Sequence, residues 1–392
     1  MKTKMKYILA TLVSCFLFAS CQDVEEPTNT IPTVRTDAVT EIGMRDALVS
    51  GSVTSKSNCK FLLSTQPDLS DAIDFNARCI DEEKGLYTGE LSQLLANTTY
   101  YVALCATDGY SEVKGNIQSF RTASCLTIAD VTLADWETGK QEPFNSALKS
   151  QLYTTTGNSL VYDATYILEY GNNWYMSPAK EIGFGNETRR FYACDPWLES
   201  IEDVTKIHLY ANKYDFVYGS SEELSESNPN AHITMNHAFA KVTFEIKKSS
   251  DSNFNLVVGD ANMRNSWTKH VNAIKFDSYF NLLTGEMSED DEYYGHDGLF
   301  INQLNLELSA TEVQTVDFYV IPTSFEDKDA MLILYAKDNW SNSFESALSG
   351  TSWSAGKHYT YPVTVTPVGL QIGDVRVEEW QNNNGGSIII TK

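Results

Sequence analysis

The side chains of this 392-residue chain that could do chemistry are few and scattered. His232 and His237, five residues apart, would point to opposite faces of an extended strand, so a shared metal is not expected. The stretch Ser288 to Gly298 holds Glu289, Asp290, Asp291, Glu292 and Asp297, oxygens of the kind calcium takes. It lacks EF-hand spacing and reads as a solvated charged loop. No glycine-rich phosphate loop, nucleophile elbow or pair of histidines at helical spacing occurs. No catalytic residue, cofactor or metal site is therefore expected. Trp174, Trp267, Trp340 and Trp353 have polar neighbours, the setting in which an exposed indole stacks on a sugar, although core or rim packing is the commoner fate.

The elements that would have to position any such group are β-strands. Aromatics make up 12% of the chain and include 21 Tyr, a bias towards sheet. A length of 392 residues with 42% hydrophobic content allows two or three domains with real cores. Acidic residues outnumber basic ones 52 to 29, and no basic cluster follows Lys6, which excludes a nucleic-acid partner.

Residues 1–20 combine Lys2, Lys4 and Lys6 with an apolar run from Tyr7 to Phe18 that is too short to span a bilayer. With Phe18-Ala19-Ser20-Cys21 at its end, this segment resembles a bacterial lipoprotein signal, implying cleavage between Ser20 and Cys21 and lipidation of Cys21. Leu12-Val13-Ser14-Cys15 fits the motif letter by letter, but cleavage there would leave an apolar terminus and too short a core. Residues 21–32 form an acidic, Pro/Thr tether, and acidic residues directly after the cysteine resemble the surface-export signal of Bacteroidota lipoproteins. Loss of three lysines and no carboxylate makes the mature chain still more acidic than the net −23 of the full one. Besides Cys21 the mature cysteines are Cys59, Cys79, Cys105, Cys125 and Cys194, and their spacing neither matches zinc nor selects a disulfide pairing.

Across 33–123 six short strands alternate with turn signals, as in a small sandwich. Leu94, Thr98 and Tyr100 keep a spacing that resembles the fibronectin type III family, with Ala96 where that family has proline. Tyr100, Val102, Leu104 and Ala106 should face the core, and the Tyr100 hydroxyl should anchor a corner to backbone. Beyond residue 123, strands are expected at Ser159 to Tyr170, Glu181 to Phe184, Arg190 to Cys194 and Ile207 to Tyr218, with Trp174 and Tyr175 in a turn. The stretch Ala238 to Lys247 alternates cleanly: Ala238, Ala240, Val242, Phe244 and Ile246 against Phe239, Lys241, Thr243, Glu245 and Lys247. It follows a polar run and is read as the first strand of a new domain, which gives boundaries of 124–231 and 232–392. Further strands are expected at Thr268 to Tyr279, Leu304 to Leu308, Val316 to Ile321, Met331 to Ala336, Pro362 to Thr366 and Gly369 to Trp380, with a terminal strand after 381–386.

Four segments, HAFAKVTFEI, RFYACDP, DFYVIPTS with MLILYA, and AGKHYTYPVTVTPVGLQI, together resemble the fimbrillin family of Bacteroidota pilus subunits. The resemblance implies an all-β chain in which a fibronectin type III-like sandwich is followed by two fimbrillin-type β-sandwich domains. It implies a lipoprotein of the outer membrane, at the cell surface or in a fimbrium, whose partners are other fimbrial subunits and a host or bacterial surface ligand. Ser387, Ile388, Ile389, Ile390 and Thr391 are the candidate donor strand, since a sandwich lacking one strand exposes unpaired backbone that a neighbour's strand completes. Burial of three Ile side chains would contribute roughly 5–9 kcal/mol before ordering costs. A strand that merely closes its own domain is the alternative. The family's activation by an Arg-specific protease implies Arg35 and Arg121 as candidate processing sites. The rival reading is a glycan-binding outer-membrane lipoprotein that uses the four tryptophans named above.

Overall fold

The computed structural model describes residues 32–378 apart from 56, 108–110, 157–158, 198–201, 252–253, 267–273, 289–297, 338 and 351. Among the described residues every regular element is a β-strand. The chain divides between Ala123 and Ser124 into two compact units.

In the first unit two antiparallel sheets face each other. One runs in the order Val34–Thr36, Asp46–Val53, Leu86–Ser92, Arg78–Asp81. The other runs Ile73–Asn76, Asn58–Ser64, Thr99–Thr107, Glu112–Lys114, with Gln118–Arg121 also paired to Thr99–Thr107. Ile73–Asn76 and Arg78–Asp81 were not expected from sequence; each is four residues long and mostly exposed, too little for a burial pattern to register. Tyr100, Val102, Leu104 and Ala106 do enter the core, with Val49, Phe61 and Leu91. The Tyr100 hydroxyl accepts the Leu95 amide at 2.9 Å, which makes the expected corner. The unit is a fibronectin type III-like sandwich.

The second unit begins with an eight-stranded sheet in the order Gln141–Pro143, Thr127–Ala134, Asn230–His237, Val217–Ser221, Thr188–Asp195, Leu148–Thr156, Ser159–Tyr170, Trp174–Ser177. It curls over its own core, since Ile128 and Val131 near one edge pack with Trp174 and Met176 from the other, around Leu152, Phe191 and Ile233. A second sandwich follows. One sheet has Ala240–Lys248 between Gln314–Val320 and His358–Thr366, and the facing sheet has Val257–Asn265 beside Ala330–Ala336. Val242, Phe244, Phe318, Leu334, Trp353 and Tyr361 fill the space between. A small sheet, Ile207–Tyr210, Asp277–Asn281 and Glu286–Ser288, draws strands from both parts of the unit.

The structure departs from the sequence reading at several places. Asn230–His237 pairs with Val217–Ser221 and, in parallel, with Thr127–Ala134, so a boundary at 231/232 would cut a strand out of the first sandwich. The chain passes between sandwiches at Ala238 and Phe239 instead. Phe239, expected on the polar face, is fully buried because it packs at that crossing. Ile207 to Tyr218 is not one strand but two pieces in different sheets, broken by a turn with Asn212 at a positive φ of 57°. Glu181 to Phe184 is irregular, yet it buries Ile182 and Phe184, which is why it looked like a strand. Trp174 opens the strand Trp174–Ser177 rather than lying in a turn. The unforeseen strands Leu148–Thr156 and Val257–Asn265 are central to their sheets but bury Ser150 in one case and Asn262 and Arg264 in the other, which hides the apolar alternation.

Candidate functional site

Within the second unit the two sandwiches meet over an aromatic cluster. Tyr153 and Tyr192 from the eight-stranded sheet, Phe216, Phe239, Phe280 and Ile321 interlock there. Tyr153 meets Tyr192 edge to face with centroids 5.6 Å apart, and Phe216 meets Phe280 at 5.5 Å. At one side of this cluster His237 is buried. Its Nδ1 lies 2.9 Å from Asp215 Oδ2 and its Nε2 lies 2.7 Å from the Ala134 carbonyl. The two contacts hold the ring from both of its nitrogens. The Trp136 ring stacks on it at 3.7 Å and leans towards Tyr319 of the other sandwich. His237 is thereby a clamp at the junction. Asp195, at the end of the neighbouring strand, has its carboxyl pushed above the usual range, first by burial and then by the charge of Asp215.

The outward face of the small three-stranded sheet carries a different arrangement. Strand alternation sends Ile207, Leu209 and Phe280 into the cluster and leaves His208, Tyr210 and Tyr279 outside. Their rings form a row: His208 lies 4.5 Å from Tyr210 on one side and 5.0 Å from Tyr279 on the other. An ammonium caps each end, Lys206 at 4.3 Å over Tyr279 and Lys213 at 5.3 Å over Tyr210. His208 Nε2 is 2.8 Å from Asp277 Oδ2, which fixes the middle ring. Asn212 sets the Lys213 end. Asn tolerates the left-handed conformation, its amide donates to the Tyr319 carbonyl at 2.7 Å, and its side chain donates to the Phe300 carbonyl at 3.0 Å. Recesses flank the row, about 300 Å³ beside Lys213 and Phe300 and about 460 Å³ beside Tyr279 and Asn281. Past the first recess Phe300 stacks with Trp340 at 6.2 Å, and Trp340 with Tyr335 at 5.0 Å.

The residues singled out from sequence are not brought together. Ser20, Cys21, Trp267, the acidic run Glu289 to Asp297 and the candidate donor Ser387 to Thr391 lie outside the described residues. His232 pairs with Asp130 at 2.7 Å on the surface, far from the role of the buried His237. Trp174 and Trp353 are core residues, whereas Trp340 is 57% exposed. Arg35 lies in the edge strand Val34–Thr36 with its side chain exposed, and Thr36 after it is buried. Arg121 lies in Gln118–Arg121, paired with Thr99, and its guanidinium donates to Asn97 Oδ1. Thr122 after it is buried, with its hydroxyl donating to the Leu95 carbonyl at 2.6 Å. Both bonds thus sit in paired backbone, and a protease reaches them only through local opening. The ring row was missed. Its trace was the alternation of Lys206, His208 and Tyr210, but its other half is about seventy residues away in sequence and only the pairing supplies it.

A fimbrillin-like family profile matches residues 129–380 of the chain. No curated protein matches it in sequence. Among solved structures, a candidate cell adhesion protein from Bacteroides ovatus aligns with 12% identity over 67% of this chain and 100% of its own, with a TM-score of 0.48. A candidate cell adhesion protein from Bacteroides eggerthii aligns with 10% identity over 65% of this chain and 97% of its own, TM-score 0.36. A candidate adhesin from Bacteroides thetaiotaomicron gives 8% identity, 66% and 98% coverage and a TM-score of 0.34.

Proposed function

The chain belongs to the fimbrillin-like family, and from that premise we propose that it is a cell-surface fimbrial subunit or accessory adhesin that joins other subunits by strand exchange. In this reading its work is structural and adhesive, not catalytic. Cys21 carries the lipid that holds it to the outer membrane, and the fibronectin type III-like unit serves as a spacer. Ser387 to Thr391 is the strand it donates.

The way the second sandwich ends supports this reading. The outer edge of His358–Thr366 is covered in two pieces, Gly369–Ile372 along Val363 to Thr366 and then Arg376–Glu378 along His358 to Thr360. The last described strand is therefore three residues long and lies at a sheet edge, tied by the ion pair of Arg376 with Glu245. Such short pairing is the weakest hold in the sheet, and the apolar run Ile388 to Ile390 follows it in sequence. Strand exchange needs a terminal segment that is not committed to its own core.

The test is removal of Ser387 to Lys392 from the full chain. Treated with an Arg-specific protease, the intact protein should form ladders resistant to SDS, and the truncated protein should remain monomeric. Ladders that persist unchanged after truncation overturn the donor-strand assignment. Comparing Arg35→Gln with Arg121→Gln identifies the processing site, since loss of cleavage in the second places the cut between the two units.

A further inference from the structure

We infer that the row Lys206, Tyr279, His208, Tyr210, Lys213, continued by Phe300 and Trp340, is a binding track for an acidic polysaccharide. The inference takes the surface location proposed above as its biological setting but needs only the folded second unit, not polymerisation.

Charge supplies the first argument. The chain carries a net −23, and 52 acidic side chains make an unopposed cation uncommon. Lys206 and Lys213 nonetheless sit at the two ends of one aromatic row, and among the described residues neither makes a salt bridge within 4.0 Å, although the charge of Asp203 acts on Lys206. Each ammonium rests on a tyrosine ring instead, a partner that leaves most of its charge available to an incoming anion. Of the carboxylates near the row, Asp277 is engaged with His208 and Asp317 beside Lys213 with Lys241, while Glu286 lines the recess beside Tyr279. Ligand carboxylates or sulfates at either end would complete pairs that the protein leaves open.

Shape supplies the second. Lys206 to Tyr210 spans four residues of strand, about 13 Å at the usual rise, so the ligand has to be extended. The recesses beside Tyr279 and Lys213 provide depth at both ends of the row. Beyond the recess at Lys213 the exposed indole of Trp340, braced by Phe300 and Tyr335, offers an apolar surface of the kind that covers the C–H face of a sugar ring. Tyrosine hydroxyls and ammonium groups along the row supply hydrogen-bond donors for sugar oxygens. A repeating chain of uronic acids or sulfated sugars offers this combination of regular anions, hydroxyls and apolar ring faces.

The test measures binding of the full chain to immobilised hyaluronan, heparin and neutral dextran at low and physiological salt. Binding is expected to hyaluronan or heparin, weakening as salt rises, and not to dextran. The double variant Lys206→Gln with Lys213→Gln should bind about tenfold more weakly, the effect of losing two charge-assisted contacts. Trp340→Ala should weaken binding about threefold by removing a stacking surface. All variants should keep the circular dichroism and unfolding curve of the parent, since these side chains are on the surface. Absence of binding to both acidic polymers, equal binding to dextran, or full affinity in either variant overturns the inference. Because binding is read on unprocessed monomer, its failure is distinct from a failure of fimbrial assembly.

Discussion

The two compact units use aromatic residues in opposite ways. In the first, Tyr100 stacks on Phe120 at 5.8 Å, and its hydroxyl is satisfied by a backbone amide five residues away. The packing is short-range and the unit closes on itself. In the second, the aromatic cluster joins two sandwiches, with Phe239 between them and His237 clamped by acceptors from two other segments. Residues that face outward from the same small sheet form the row of rings. The difference teaches that sandwich cores can be self-sufficient while the junction between sandwiches depends on contacts far apart in the chain.

The contrast can be broken most severely at Phe239. Phe239→Ala leaves a cavity in the junction and should destabilise the second unit by about 3–5 kcal/mol. Urea unfolding of the full chain should show a shift in that unit's transition and none in the first unit's; an equal shift in both would mean that the units are not independent. His237→Ala removes a buried clamp and leaves Asp215 and the Ala134 carbonyl without their donor, at a cost of about 2–4 kcal/mol. That loss too should be confined to the second unit. Tyr100→Phe in the first unit removes one hydrogen bond and should cost about 1 kcal/mol, read as a shift of the first transition alone.

The smallest effect sharpens the electrostatic side of the comparison. The folded state raises the acidity constant's pKa at Asp195 through burial and the nearby Asp215, so it penalises the ionised carboxylate. The penalty is present above the folded pKa and disappears once pH falls below the unfolded value, where both states hold the proton. Asp195→Asn should therefore stabilise the second unit slightly at about pH 7 and give no gain at about pH 3. A gain that grows on acidification would reverse the sign of this argument. Thermal unfolding at a series of pH values measures it directly.

Much of the fold was legible where local pattern and local packing coincide. Tyr100, Val102, Leu104 and Ala106 alternate in sequence and do so in space, because a single strand separates the core from its opposite face. Ala240, Val242, Phe244 and Ile246 behave likewise in the second sandwich. Legibility fails where a strand buries polar groups, as at Ser150, whose hydroxyl donates to the Tyr166 carbonyl of the adjacent strand, and at Asn262 and Arg264. It fails also at Phe239, whose burial is set by the neighbouring sandwich. Of the candidate binding row, the sequence shows one alternating half, and His237, for which no metal role is expected from sequence, is a structural clamp.

The amino-acid sequence by itself determined the all-β class, the fibronectin type III-like corner and the family resemblance, because alternation and turn chemistry act over a few residues. The tertiary structure decided which strands share a sheet, where one sandwich passes to the next, and that Lys206, His208 and Tyr210 meet Tyr279. Pairing between strands about seventy residues apart depends on the burial of Ile207, Leu209 and Phe280 beneath them. Contacts of that range become specified only when the core on the other face has formed.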